Sequence, residues 1–277
     1  GEPFGAPEVY GDDRMFVCIC VGETSEEANR KLIALEEAGH PVVRRVMNDP
    51  LDLGAEFFAW EFATAVAGYL LSINPFDQPN VQESKDNTNR LLDEFKSTGA
   101  LPEPAAIAED GGLRVYSTRH TSFETGPPAG SVTLASVVTD HLSRVGAGDY
   151  VALLAYIQET EEHDRLLQDI RARLRDRLKV ATTTGYGPRF LHSTGQLHKG
   201  GAGNGVFIQL TDEDATDLPI PGEPYTFGVL KQAQALGDFS SLESHHRRAI
   251  RFHLGRDAEA GLTTLLNLIE GAGKAHA

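Results

Sequence analysis

Apolar and polar positions along this chain switch between two periods, and the switches mark its elements. Met15-Phe16-Val17-Cys18-Ile19-Cys20-Val21 is a short apolar run of strand length, followed by Gly22. Thr24-Ser25-Glu26-Glu27 then caps a helix that reaches about residue 38, with Ala28, Leu32 and Leu35 spaced for one face. Gly39 stops it, and residues 41–47 predict the next strand. Strand, helix and strand within about thirty residues make a βαβ unit, which implies a parallel sheet covered by helices.

Residues 53–73 predict a long apolar helix in which Phe57, Phe58, Trp60 and Phe62 fit core packing. Asn74-Pro75 breaks it, because proline lacks an N–H and pushes the preceding residue out of the α region. Asp77-Gln78-Pro79 opens a polar helix that runs to about Phe95. Between 99 and 130 the pattern dissolves into Pro, Gly and scattered charge, with a short strand at 113–116. A second series follows: a helix over 131–145, an apolar strand over 150–157, and a charged helix over 161–178 with Leu166, Leu167, Ile170 and Leu174 inward. Strands are expected at 179–183 and 205–210, and helices at 225–236, 242–254 and 258–269. The chain therefore reads as a first α/β unit over 1–98, a linker over 99–130 and a second α/β unit over 131–277, both of parallel strands flanked by helices.

Composition narrows the function. The 277 residues suffice for one sizeable core or two modest ones. A net charge of −15 argues against nucleic acid as a partner and obliges an anionic substrate to find a local positive pocket. Glu61 interrupts the longest apolar run, so no stretch reaches the roughly 20 uncharged residues of a membrane span. No signal peptide is visible, and a cytoplasmic protein is expected; the start at Gly1 suits a tag remnant or a piece of something longer. Cys18 and Cys20, the only cysteines, read as buried reduced thiols.

Candidate chemistry gathers in two stretches. The first is GYLLSINPFDQPNVQESK, residues 68–85, where polar side chains crowd a tight joint between two helices. The second is the loop over 182–204, in which His192, Ser193, Thr194, Gln196, His198 and Lys199 fall within eight residues and a glycine run follows. Such a loop after an α/β strand suits a polyhydroxylated or anionic ligand. His192 and His198 are not at the i, i+4 spacing of a zinc protease and no carboxylate completes a site, and the glycines lack a nucleotide-binding order, so neither a zinc site nor a nucleotide is expected. His245-His246-Arg247-Arg248 reads as a solvated basic patch on a helix.

The wording NPFDQPxVxxxK resembles the signature near the C-terminus of phosphoglucose isomerases, and Phe190-Leu191-His192-Ser193-Thr194-Gly195-Gln196 is similar to the segment holding that family's ring-opening histidine. The order of the two, with the histidine after the lysine, looks most like the isomerase portion of bifunctional transaldolase/phosphoglucose isomerase fusions. The resemblance implies sugar-isomerase (SIS-type) units and interconversion of glucose 6-phosphate and fructose 6-phosphate through a cis-enediol. It also implies a sugar phosphate substrate, the remainder of the isomerase/transaldolase chain as partner, and no cofactor; a homo-oligomer is left open. His192 would act in ring opening with Lys85 beside it, Gln78 would contact the phosphate end or neighbouring backbone, and Ser193, Thr194, Gln196 and Lys199 would line the substrate. In that family the carboxylate base stands in a Glu-x-x-Gly-Lys segment shortly before the histidine, and no such segment precedes His192 here, which leaves a non-catalytic sugar-phosphate-binding or subunit-assembly module as the alternative.

Overall fold

The computed structural model describes residues 3–118, 132–189 and 193–272. Contacts divide the chain into two compact units, Gly1–Asp77 and Gln78–Ala277, and each is taken by itself.

The first unit contains β1 (Phe16–Val21), α1 (Glu26–Glu37), β2 (Val42–Met47) and α2 (Leu53–Leu71). β1 and β2 pair in parallel, with Phe16 opposite Val42 and Val21 opposite Met47, which is the βαβ unit expected from the pattern. The Ser25 hydroxyl accepts from the Ala28 N–H and caps α1, whose Leu32 and Leu35 are buried. At the far end of α2 the Pro75 ring folds back against Gly68. A Cβ there would lie 2.6 Å from the ring carbons, so the joint requires glycine.

Two expectations fail in this unit. Phe57, Phe58 and Phe62 do not pack in a core, and Phe58 is 69% exposed; Trp60 is exposed as well. The reason lies in which side of α2 faces the sheet. Glu56 is buried, accepting from Arg45 Nε of β2 at 2.5 Å and from Trp60 Nε1 at 2.8 Å, and this polar contact turns the phenylalanines outward. Cys18 and Cys20 are free but only half-buried, because two strands do not cover both faces of β1.

The second unit starts with α3 (Pro79–Thr98), followed by β3 (Ala108–Asp110), β4 (Leu113–Ser117), α4 (Leu134–Ser143), β5 (Tyr150–Tyr156) and α5 (Glu161–Leu178). It continues with β6 (Ala181–Tyr186), α6 (Ser193–Gly200), β7 (Gly205–Thr211), α7 (Phe227–Ser244), β8 (Arg248–His253) and α8 (Ala258–Gly271). The sheet order is β3-β4-β8-β7-β5-β6. The four strands from β8 to β6 are parallel, and the β3–β4 hairpin adds an antiparallel edge on β8. Successive side chains of β5 point to opposite faces. Val151, Leu153 and Ala155 meet α4, α5 and α8, while Ala152, Leu154 and Tyr156 meet α7. Burial on both faces explains why β5 and β7 read as unbroken apolar runs. The molecule is thus an α/β protein with a mostly parallel mixed sheet flanked by helices.

Two features of this unit differ from the expected pattern. Residues 242–254 are not a helix: α7 ends at Ser244, His246 turns the chain at φ +55°, and β8 inserts between β4 and β7. His245 to Arg248 consequently form a turn and a strand start, not a helical basic face. A short apolar run carries no periodicity that separates a buried strand from a buried helix. The division at Asp77/Gln78 also falls earlier than the boundary expected after residue 98. α3 packs along α7, close enough that a Cβ on Gly237 would sit 3.0 Å from Thr88 Oγ1, and the hairpin within 99–130 belongs to the second unit's sheet. Residues 119–131 lie outside the described residues. Among the described residues, no helix is long and apolar enough to cross a membrane.

Candidate functional site

α3 buries Val81, Ser84, Thr88, Leu91 and Leu92, a helical stripe laid against α7. Ser84 and Asn87 reach Ser241 of α7 at 3.4 and 2.9 Å. This placement brings the start of α3 onto α6. The Asn80 N–H donates to Gln196 Oε1 at 2.8 Å, and Gln196 Nε2 donates back to Asn80 Oδ1 at 2.8 Å. Gly200 closes the same corner: a Cβ there would lie 2.3 Å from Gln196 Nε2 and 2.5 Å from Asn80 Oδ1.

Glu83 and His245 adjoin this amide pair. His245 Nε2 lies 2.7 Å from Glu83 Oε2 and 3.1 Å from Asn80 Nδ2, and Ser244 Oγ donates to Glu83 Oε1 at 3.1 Å. Burial works to raise the Glu83 carboxyl, but the His245 imidazole and the Ser244 and Asn80 donors outweigh it and hold the group below the usual range. Deeper still, Lys199 Nζ pairs with Asp238 Oδ1 at 2.5 Å, the two side chains 1% and 2% exposed.

The other side of α6 borders a polar cavity of about 380 Å³ at the carboxyl end of β6. Its wall includes Glu159, Gln168, Thr184, Arg189, Thr194 and His198. Gln168 Oε1 and Thr184 Oγ1 are buried there without a hydrogen-bond partner. Arg189 pairs with Glu159 at 2.6 Å, and the Tyr186 hydroxyl donates to Asp164 at 2.8 Å. His198 Nδ1 lies 2.8 Å from the Tyr150 hydroxyl, and its ring stacks on Tyr150. Burial first, then the Lys199 charge, pushes His198 down to about 4, so it is neutral at pH 7. Open hydroxyl and amide acceptors on this wall suit a polyhydroxylated ligand.

The residues singled out from the sequence are only partly brought together. Gln196 is in the amide pair and Thr194 is on the cavity wall. Gln78 is exposed at the N-cap of α3, and Lys85 is exposed further along the same helix. Lys199 is engaged by Asp238 in the interior. Ser193 is the first residue of α6, and His192 lies outside the described residues. Sequence reasoning missed Asn80, Asp238, Gln168 and Tyr150. Asn80 and Glu83 stand inside a stretch already marked, but their partners come from α6 and α7. Among the described residues, no group of three or more His, Cys, Asp or Glu could hold a metal ion.

Fold and corner together define an α/β protein whose sheet carries a polar cavity at the carboxyl end of its strands, with one long-range helix junction beside it. No family model matches the sequence. A stretch of 75 residues is 37% identical to the glucose-6-phosphate isomerase of Leptospira interrogans, covering 26% of this chain and 17% of that enzyme. Another of 43 residues is 51% identical to the glucose-6-phosphate isomerase of Exiguobacterium sibiricum, covering 16% of this chain and 10% of that enzyme. A solved structure of a hypothetical protein from Thermus thermophilus is 13% identical with a TM-score of 0.40, over 92% of this chain and 55% of that one. The chain is therefore similar to glucose-6-phosphate isomerases over short stretches, which span less than a fifth of the length of these two enzymes.

Proposed function

We propose that this chain is the C-terminal portion of a glucose-6-phosphate isomerase, built from SIS-type units and fused to a transaldolase. It would interconvert glucose 6-phosphate and fructose 6-phosphate through a cis-enediol. The observation that carries the reading is the reciprocal Asn80–Gln196 pair, which joins the NPFDQP stretch to the HSTGQ stretch across 116 residues of sequence. Ring opening needs a group that both gives and takes a proton near neutrality, and His192 has that chemistry. Lys85 and Gln78 face the substrate's ring and phosphate end, and Ser193, Thr194 and Gln196 supply hydroxyl and amide contacts. Lys199, in its ion pair, holds α6 against α7 rather than touching substrate. The carboxylate that moves the proton between C2 and C1 comes from the remainder of the enzyme.

The test is a coupled assay of the complete enzyme with fructose 6-phosphate, following glucose 6-phosphate. His192→Ala is expected to slow turnover of cyclic hexose phosphate more than of an open-chain analogue, and Lys85→Ala to slow both. Equal losses on both substrates in His192→Ala remove the ring-opening role. Sugar-phosphate binding by calorimetry without turnover in the complete enzyme favours the second reading, a non-catalytic binding or assembly module. That reading draws on the lack of a Glu-x-x-Gly-Lys segment shortly before His192.

A further inference from the structure

A second cavity, of about 250 Å³, lies at the carboxyl ends of β7 and β8 and shares no wall residue with the cavity beside α6. Phe95, Leu101 and Leu236 give it apolar walls, and Arg251, His253 and Thr211 give it a polar floor. Arg251 is 7% exposed, and its guanidinium lies over the Tyr116 ring at 4.2 Å from the centroid and 5.6 Å from that of Phe239. Its Nε has no hydrogen-bond partner, and no ion pair among the described residues includes it. The carboxylates nearby are already matched to other cations: Glu103 to Arg114 at 2.6 Å, and Asp212 and Asp214 to Lys231 at 2.7 and 2.6 Å.

A buried guanidinium without a carboxylate is costly, and stacking on an aromatic face offsets only part of that cost. His253 repeats the pattern. Its Nε2 is buried without a hydrogen-bond partner, the nearest carboxylate oxygen being Glu213 Oε1 at 3.8 Å. Its Nδ1 lies 3.1 Å from Thr211 Oγ1, and a hydroxyl donating to Nδ1 leaves Nε2 as an N–H donor. Burial lowers the His253 pKa, which favours the neutral ring. Two buried nitrogens without a hydrogen-bond partner, Arg251 Nε and His253 Nε2, thus line one cavity at the carboxyl ends of parallel strands, and with Thr211 donating to Nδ1 both are N–H donors.

We propose that this cavity binds a small oxyanion, a single phosphate or carboxylate head on a compact apolar body, with Arg251 and His253 as its donors. The volume sits just below the range of ordinary ligand pockets, which confines the ligand to a small metabolite. The site stands independently of the isomerase reading.

The experiment is thermal unfolding and calorimetry of the full chain with inorganic phosphate and, separately, benzoate, against chloride at matched ionic strength. The wild type is expected to show a saturable rise in Tm of several degrees with at least one of the two, and Arg251→Met to weaken its Kd at least tenfold. Saturation with phosphate alone identifies a phosphate head, and with benzoate alone a carboxylate head. Arg251→Met should also melt no lower than the wild type without ligand, since it removes an uncompensated charge. Should that variant fail to fold, Leu101→Trp fills the cavity from its loop wall and is expected to abolish the ligand-dependent shift. The absence of a saturable shift with either probe overturns the proposal, as does an unchanged Kd in the folded Arg251→Met or Leu101→Trp protein.

Discussion

Phe207 and Phe252 of the second unit are completely buried, whereas Phe58 and Leu70 of the first are 69% and 74% exposed. The residue types are alike, so the difference lies in what covers them. Strands β5, β7 and β8 have neighbours on both edges and helices on both faces. The first unit offers α2 only a two-stranded sheet, and that contact is spent on Glu56, Arg45 and Trp60. A helix apolar on all sides is at home only where it is covered on all sides. Helix α2 has such a sequence without such a cover in its own unit, and Phe57, Phe58, Phe62, Tyr69 and Leu70 stay exposed on it.

Core truncation breaks this comparison most strongly. Phe252→Ala should cost about 5 kcal/mol, the upper end for a fully buried aromatic, whereas Phe58→Ser should change stability by less than about 0.5 kcal/mol. Trp60, the only tryptophan, reports the first unit by fluorescence in a urea titration, and hydrogen exchange at β7 and β8 follows the second. Comparable losses in the two variants mean that the face of α2 is covered in solution. Next in size is the interior ion pair. Lys199→Met strands the Asp238 carboxylate and should cost about 3–4 kcal/mol, while adding Asp238→Leu should restore most of it. A double variant as unstable as the single one would show that the lysine contributes through packing and not through charge.

The sequence pattern reads most of the elements and few of their neighbours. Leu166, Leu167, Ile170 and Leu174 recur at helical spacing and are the buried face of α5, and the strand–helix–strand order of the first unit is legible for the same reason. β8 is not, because Ala249-Ile250-Arg251-Phe252 is too short a run to show a period, and only its place between β4 and β7 makes it a strand. α6 hides in a loop-like wording of glycines and polar residues, since its support comes from α3 and α7 rather than from propensity. At the site, Gln196 is visible as a motif residue, but Asn80 as its partner is not. Lys199 looks like a ligand contact until Asp238 arrives from a helix further along the chain.

Acid should separate the two units by a somewhat smaller margin. Burial drives His141 down to about 3 and His198 to about 4, both in the second unit. Each therefore stays neutral in the folded state at pH values where the unfolded chain, near 6.5, takes up a proton. Their stabilisation is complete above about pH 6.5 and is lost as pH falls toward the folded values. For His198 the loss between pH 6.5 and 4 is on the order of 3 kcal/mol. Urea midpoints measured across that interval should fall for the second unit, and His198→Gln should flatten the fall by about that amount. An unchanged slope in the variant would assign the acid sensitivity elsewhere.

The smallest effect is the most informative about the site. Both units cap a helix, but by different means. In α1 the cap is local, Ser25 accepting from Ala28 N three residues on. In α3 no side chain at the N-cap does so, and the free N–H of Asn80 is met instead by Gln196 of α6. Gln196→Leu leaves that N–H and Asn80 Oδ1 without their partners and should cost about 1–2 kcal/mol. The loss should register in hydrogen exchange as faster exchange at Asn80 and along α6, with α5 and α8 unaffected. Ser25→Ala, at about 1 kcal/mol, should loosen α1 alone. If Asn80 exchanges at the same rate in Gln196→Leu, the corner is not held by the amide pair. The two motif stretches then meet only through α7, and the single-site reading of this chain loses the contact on which it rests.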